Sequence, residues 1–235
     1  MDAGTHKGVI NDAIAVGIAT GVYGISFGAI SVASGLTVWQ TCALSLLMFT
    51  GASQYALVGV IGAGGAPMTG AAAALLLGTR NALYGLKLAP MLGWKGWRRL
   101  GAAQLTIDES TAMSVLRPTH AQARLGFVST GLSVFVLWNA ATLFGAVLGD
   151  RMGDPRVWGL DAAVGGAFLA LLWPRLSSKT NRIAGVLGAA LALSLVQFTP
   201  AGVPVLAAAT VAIGMGLLTR SETDPTEIPD EEHLP

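Results

Sequence analysis

From Ala13 to Thr79 the chain carries no Asp, Glu, Lys, Arg or His, a run of 67 residues that ends on Arg80. One helical crossing of a bilayer core takes about 20 apolar residues. The run therefore has room for two crossings and most of a third, and a soluble protein of this size cannot hide it. Composition agrees: 53% of the chain is hydrophobic, 11% is charged and mean hydropathy is +0.62. Soluble domains are about 25% charged. The expected fold class is all-α, a polytopic helical membrane bundle.

Seven apolar segments can be read, at about 13–35, 39–63, 68–92, 125–149, 157–174, 183–199 and 203–219. They lie in one transmembrane domain over 13–220, between a short N-terminal segment, 1–12, and an acidic tail, 221–235. The tail holds three prolines and six of the 13 acidic residues and reads as solvated and disordered. Without it, 14 basic residues face seven acidic ones. Cys42, the one cysteine, reads as a small buried hydrophobe. No cleavable signal peptide is expected, because the first apolar stretch is long and leads straight into further segments.

Lys and Arg set orientation. Lys95, Arg98, Arg99, Arg117 and Arg124 follow segment three; Arg175, Lys179 and Arg182 follow segment five; Arg220 follows segment seven. On one face these are nine basic residues, against Lys7, Arg151 and Arg156 on the other. Seven crossings then put the N-terminus outside and the C-terminus in the cytoplasm, and a re-entrant segment would flip one end. Trp39, Trp94, Trp97, Trp158 and Trp173 fall near segment ends, where indoles form interfacial belts.

Polar groups at membrane depth usually face a bundle interior or a cavity. In segment one, Gly17, Gly21, Gly24 and Gly28 form a stripe. It reads either as close helix packing or as a helix unwound around Gly24–Gly28, with free backbone facing substrate. In segment two, Thr50, Gly51, Ser53 and Gln54 could serve as interhelical glue or hold a carboxylate or an ammonium. In segment three, Arg80 offers a donor fork suited to a carboxylate, with Asn81 next and Tyr84 one turn on. The alternative for Arg80 is an ion pair with Asp108, Glu109 or Asp161. Lys87 reads as a snorkelling cation. Asp108 and Glu109 form either a surface turn or a short helix tucked against the bundle, where a carboxyl could carry a proton. His6, His120 and His233 are far apart, so no metal cluster is evident, and there is no Walker A sequence. No cofactor is expected. Active transport would need an ion gradient or a separate subunit.

Phe27-Gly28, Phe49 through Tyr55, Arg80 through Gly85 with Ala89-Pro90, and Leu105 through Ser110 come in an order and spacing that resembles the AzlC family of branched-chain amino acid exporters. The likeness covers about the first 120 residues; beyond them only hydropathy and length match. The family often has Asn where this chain has Gly78 and His where it has Asn81. The resemblance implies a multi-pass bacterial inner-membrane protein that exports valine, leucine, isoleucine or analogues together with a small AzlD-type membrane partner. It implies an amino acid substrate, contact with membrane lipid and no nucleic acid. Gly28, Thr50, Gly51, Ser53, Gln54, Arg80, Asn81 and Tyr84 are the expected substrate residues, and Asp108 and Glu109 the proton-coupling ones. The competing reading is a membrane assembly or sensing subunit. An intramembrane enzyme would need a nucleophile–base pair or a metal cluster, which the sequence does not offer. An internal repeat is suggested by Pro90 and Pro174, each ending a segment on the same side.

Overall fold

The structure, a computed structural model, describes residues 6–152 and 176–219, with 169, 172 and 173 between them. Nine helices and no strand occur among the described residues: α1 His6–Ala33, α2 Val38–Leu47, α3 Ala52–Gly62, α4 Pro67–Leu92, α5 Trp97–Gln104, α6 Asp108–Val115, α7 His120–Arg151, α8 Lys179–Leu195 and α9 Val203–Thr219. Segment five and the acidic tail lie outside the described residues, apart from 169, 172 and 173. The chain divides into two compact units, Met1–Leu171 and Leu172–Pro235.

α1 and α7 are long and apolar enough to cross a membrane. Their glycines explain how they meet. A Cβ on Gly21 would lie 2.8 Å from the Leu137 Cβ, one on Gly24 2.6 Å from the Trp138 carbonyl, and one on Gly28 2.6 Å from the Ala146 nitrogen. On α7, a Cβ on Gly145 would lie 2.7 Å from the backbone of Ile25. The stripe is therefore the packing seam, with backbone against backbone. α1 stays helical through Gly24–Gly28, so of the two readings of the stripe close packing is observed and unwinding is not. Contact positions rise together on both helices, so α1 and α7 run parallel, where seven alternating crossings would make them antiparallel.

The cause lies in segment two. It is not one helix over 39–63 but two, α2 and α3, of 10 and 11 residues. At 1.5 Å per residue each is about 15 Å long, half of a bilayer core. α2 opens on a capping box at Thr37 and Gln40 and follows the end of α1 directly. α3 ends beside that same place, since a Cβ on Gly62 would lie 3.1 Å from the Ser34 Cβ. Between them the chain turns at Gly51, whose φ of 64° favours glycine. Gln54, at the start of α3, reaches back to Leu44 and Ser45 on α2. The two arms enter and return at one end, making a re-entrant hairpin rather than a crossing.

α4 then runs antiparallel to α3, with Gly70 against Leu57 and Gly78 facing Ser53. It continues past Pro90 to Leu92 and stops on Gly93, at φ 63°. His120 and Arg124, in the first turns of α7, bond the Met91 and Leu92 carbonyls at 2.8 and 2.7 Å. The starts of α1 and α7 therefore share an end with the C-terminus of α4, and Arg117 pairs with Asp12 there at 3.3 Å.

α5 and α6 are a second hairpin, entering from that end. α5 follows α4 after a short connection, and Asp108, just past its end, returns to Arg80 in the middle of α4, so α5 runs antiparallel to α4. α6 runs antiparallel to α7, with Met113 against Gly126 and Leu105 against Gly131. Ser110 ties the turn together: its hydroxyl donates to the Leu105 carbonyl at 2.6 Å and accepts from the Ile107 N–H at 3.1 Å. A long helix followed by a short hairpin thus occurs twice, over α1–α3 and α4–α6, in opposite directions. Inverted repeats of this kind build many transporters. The repeat is set by the hairpins rather than by Pro90 and Pro174, the latter lying outside the described residues. In the second unit, α8 and α9 pack antiparallel around Gly188 and Ala208, joined through Gly202 at φ 98°.

Candidate functional site

The two hairpin tips meet midway along α1, α4 and α7, and their free backbone groups determine what must gather there. α2 ends without continuing, so its last carbonyls need partners away from water. Gln54 Nε2 donates to the Leu44 and Ser45 carbonyls at 3.3 and 3.4 Å. Gln104, at the end of α5, donates to the Leu46 carbonyl at 2.8 Å. Arg80 Nη2 donates to the Thr50 carbonyl at 3.3 Å, and Nη1 meets Asp108 Oδ2 at 2.9 Å. One guanidinium thus joins the turn of the first hairpin to the first residue of α6 in the second. The Arg80 and Asp108 side chains are 23% and 26% exposed. Asp108 and Glu109 open α6, where the helix dipole favours negative charge. Of the two expectations for these acids, the short helix is the one observed.

Around this bridge several polar atoms are enclosed without a hydrogen-bond partner: Thr50 Oγ1, Ser53 Oγ, Arg80 Nε and Asn81 Oδ1. Ser53 is 1% exposed. A Cβ on Gly78 would lie in ordinary contact with its hydroxyl, at 3.6 Å, so α4 passes directly beside it. α3 begins at Gly51 with no side-chain cap on its N-terminus. Buried hydroxyls and amides are normally paired. A donor fork, two hydroxyls, an amide oxygen and a helix start at one depth form a polar cradle in an otherwise apolar bundle.

The apolar wall beside it is aromatic. Phe27, Tyr55 and Trp138 are buried together, with Phe27 and Tyr55 edge to face at 5.4 Å. Tyr55 Oη donates to the Tyr23 carbonyl at 3.0 Å, fixing α3 to α1.

The expected site residues divide accordingly. Thr50, Gly51, Ser53, Arg80, Asn81 and Asp108 gather at the tips. Gln54 is also there, with its amide nitrogen engaged on α2. Tyr84 lies one turn further along α4 and Glu109 beside Asp108, both half-buried. Gly28 faces α7 and positions Phe27 for the aromatic wall. Lys87 is exposed, as a snorkelling cation would be. Gln104 and Thr106 were missed. An amide just before Leu105-Thr106-Ile107-Asp108 was the available signal, hidden by the basic residues around it.

The AzlC family model, described as AzlC protein, matches residues 15–152. The chain belongs to the AzlC family. Both hairpins, α4 and α7 fall within that match, so the AzlC region is the unit that carries the polar cradle. Membership agrees with the resemblance read from the motifs and brings its general assignment, a membrane protein of branched-chain amino acid transport. No curated protein and no solved structure matches the chain.

Proposed function

We propose that this protein exports valine, leucine, isoleucine or close analogues across the bacterial inner membrane, as the large subunit of a two-component exporter with a small AzlD-type partner. The observation that carries the reading is Arg80, held between two opposed hairpin tips and ringed by unpartnered polar atoms. A zwitterionic amino acid needs a cation for its carboxylate and acceptors for its ammonium. Arg80 supplies the first, with the start of α3 adding positive dipole at Gly51; Ser53, Thr50 and Asn81 oxygens supply the second. Gln54 holds the α2 end in place, and Tyr84 closes the α4 side.

Binding then exchanges one carboxylate for another. The substrate carboxylate takes the guanidinium from Asp108, which turns the Asp108 carboxylate to the substrate ammonium. Asp108, with Glu109 beside it, would couple export to a proton gradient by exchange: a proton arriving from outside displaces the ammonium, so proton and substrate hold the carboxylate in turn and move in opposite directions. Separating Arg80 from Asp108 and Thr50 leaves the bond from Gln104 to the Leu46 carbonyl as a tie between the two tips.

The re-entrant hairpins change the proposed orientation. With segment two no longer a crossing, the N-terminus moves to the cytoplasmic side, together with the α4–α7 connection. Lys7 changes face, and the balance becomes ten basic residues inside and two outside, Arg151 and Arg156. That is a stronger positive-inside bias than nine to three. The C-terminus stays cytoplasmic.

The test is efflux of labelled valine and leucine from loaded cells lacking their own exporter, with this chain expressed alone and with its neighbouring small membrane protein. Efflux that needs both proteins is the expected result. No efflux of either amino acid, with both proteins present in the membrane, would refute the substrate assignment.

A further inference from the structure

α4 carries two kinds of helical glycine. Gly70 is a packing glycine, since a Cβ there would lie 2.9 Å from Leu57. Gly85 is different: a Cβ there would meet nothing within 4 Å. Glycine is among the least favourable residues inside a helix, and no neighbour requires it at this position. What lies beside it is a cavity of about 550 Å³ between α4 and α5. Asn81, Gly85, Leu88, Lys95, Arg99 and Thr106 line it; Asn81 adjoins Arg80 at the tips, Gly85 and Leu88 follow along α4, and Lys95 and Arg99 lie beyond the C-terminus of α4. Asn81 Oδ1 is enclosed and unpartnered at the end nearest Arg80. Along α4, Gly78, Asn81, Gly85, Leu88 and Leu92 recur at three- and four-residue spacing, one face of the helix. That face runs from the Ser53 hydroxyl at the tips to the cationic end of α4.

We propose that the α4–α5 cavity is the cytoplasmic access route to the tip site, and that Gly85 gauges the side chain it admits. The inference rests on the transport reading above and extends it. The route is apolar where a branched side chain would slide, at Gly85 and Leu88, and polar at both ends, where charged groups of an amino acid are received. Any side chain at position 85 projects into this space rather than into a neighbouring helix. Substitution there narrows the route without disturbing the fold.

Two variants test the proposal. In a Cys42→Ala background, Gly85→Cys should react with a membrane-impermeant maleimide in inside-out vesicles and stay unreacted in right-side-out vesicles. Absence of labelling in inside-out vesicles would overturn the access route. Gly85→Val should accumulate and melt like the parent yet export leucine about tenfold or more slowly, the scale set by one or two methylenes in a confined apolar site. Gly85→Ala should fall between, losing leucine and isoleucine more than valine. Parental leucine efflux by Gly85→Val would overturn the gauge. If the parent moves no amino acid, the transport reading fails by itself, and the maleimide result still decides whether the cavity opens to cytoplasmic water.

Discussion

Removing the Arg80 side chain should destabilise the meeting of the two tips by an amount the geometry bounds. At 2.9 Å and an effective permittivity of about 20, two unit charges attract by about 6 kcal/mol. Desolvation takes back most of that. Fully exposed pairs keep about 0–1 kcal/mol, whereas breaking buried ones costs about 3–5 kcal/mol. With both side chains about one-quarter exposed, a coupling near ~2 kcal/mol is expected. Arg80→Ala also frees the Thr50 carbonyl, which adds about 1 kcal/mol, for a total near ~3 kcal/mol. Asp108→Ala alone should cost ~2 kcal/mol by leaving the guanidinium without its carboxylate. The double variant should then cost ~3 rather than ~5 kcal/mol. The assay is equilibrium unfolding in mild detergent for all four proteins. Additivity within about 0.5 kcal/mol would refute the claim that Arg80 binds the hairpins together. Transport adds a second readout: Asp108→Asn keeps the shape, removes the charge and should abolish the pH dependence of efflux.

Gln54→Ala strips the partners from the Leu44 and Ser45 carbonyls and should lower stability by about 1–3 kcal/mol, read from thermal melting of the purified protein. Gly24→Val places methyl groups where the Trp138 carbonyl already lies at 2.6 Å from a Cβ; the variant should fail to accumulate in membranes, and normal accumulation would contradict the seam. A protease site attached at the N-terminus should be cut only from the cytoplasmic side, and cleavage from outside would restore a seven-crossing arrangement.

Much of this is legible in the sequence. The uncharged run, the glycine stripe and Arg80 each announced membrane helices with a polar centre, because the cost of burying charge leaves a mark in composition. Asp108 stood among three acids named as partners for Arg80. The location of the broken helix was not legible. Gly24–Gly28 and Gly51 carry the same local signal, glycine with small neighbours in an apolar run. What separates them is tertiary: α7 fills the space beside Gly28, whereas Gln54, Gln104 and Arg80 converge to satisfy the carbonyls exposed near Gly51. Hydropathy cannot distinguish a 25-residue crossing from two half-length arms that return, since both bury the same residues. The antiparallel relation that seven crossings imply for α1 and α7 fails for that reason alone.

The parallel seam between α1 and α7 limits how the molecule can work. Helices in backbone contact along four turns cannot slide or roll without collision, since every shift brings a carbonyl against a Cα. They behave as a fixed post. Whatever alternates between the two faces of the membrane must swing against that post, and α4 is the piece to do so, since Tyr55 fixes α3 to α1 and α6 lies close on Gly126 of α7. A cross-link within the seam should therefore leave turnover intact, whereas one between α4 and either tip should stop it.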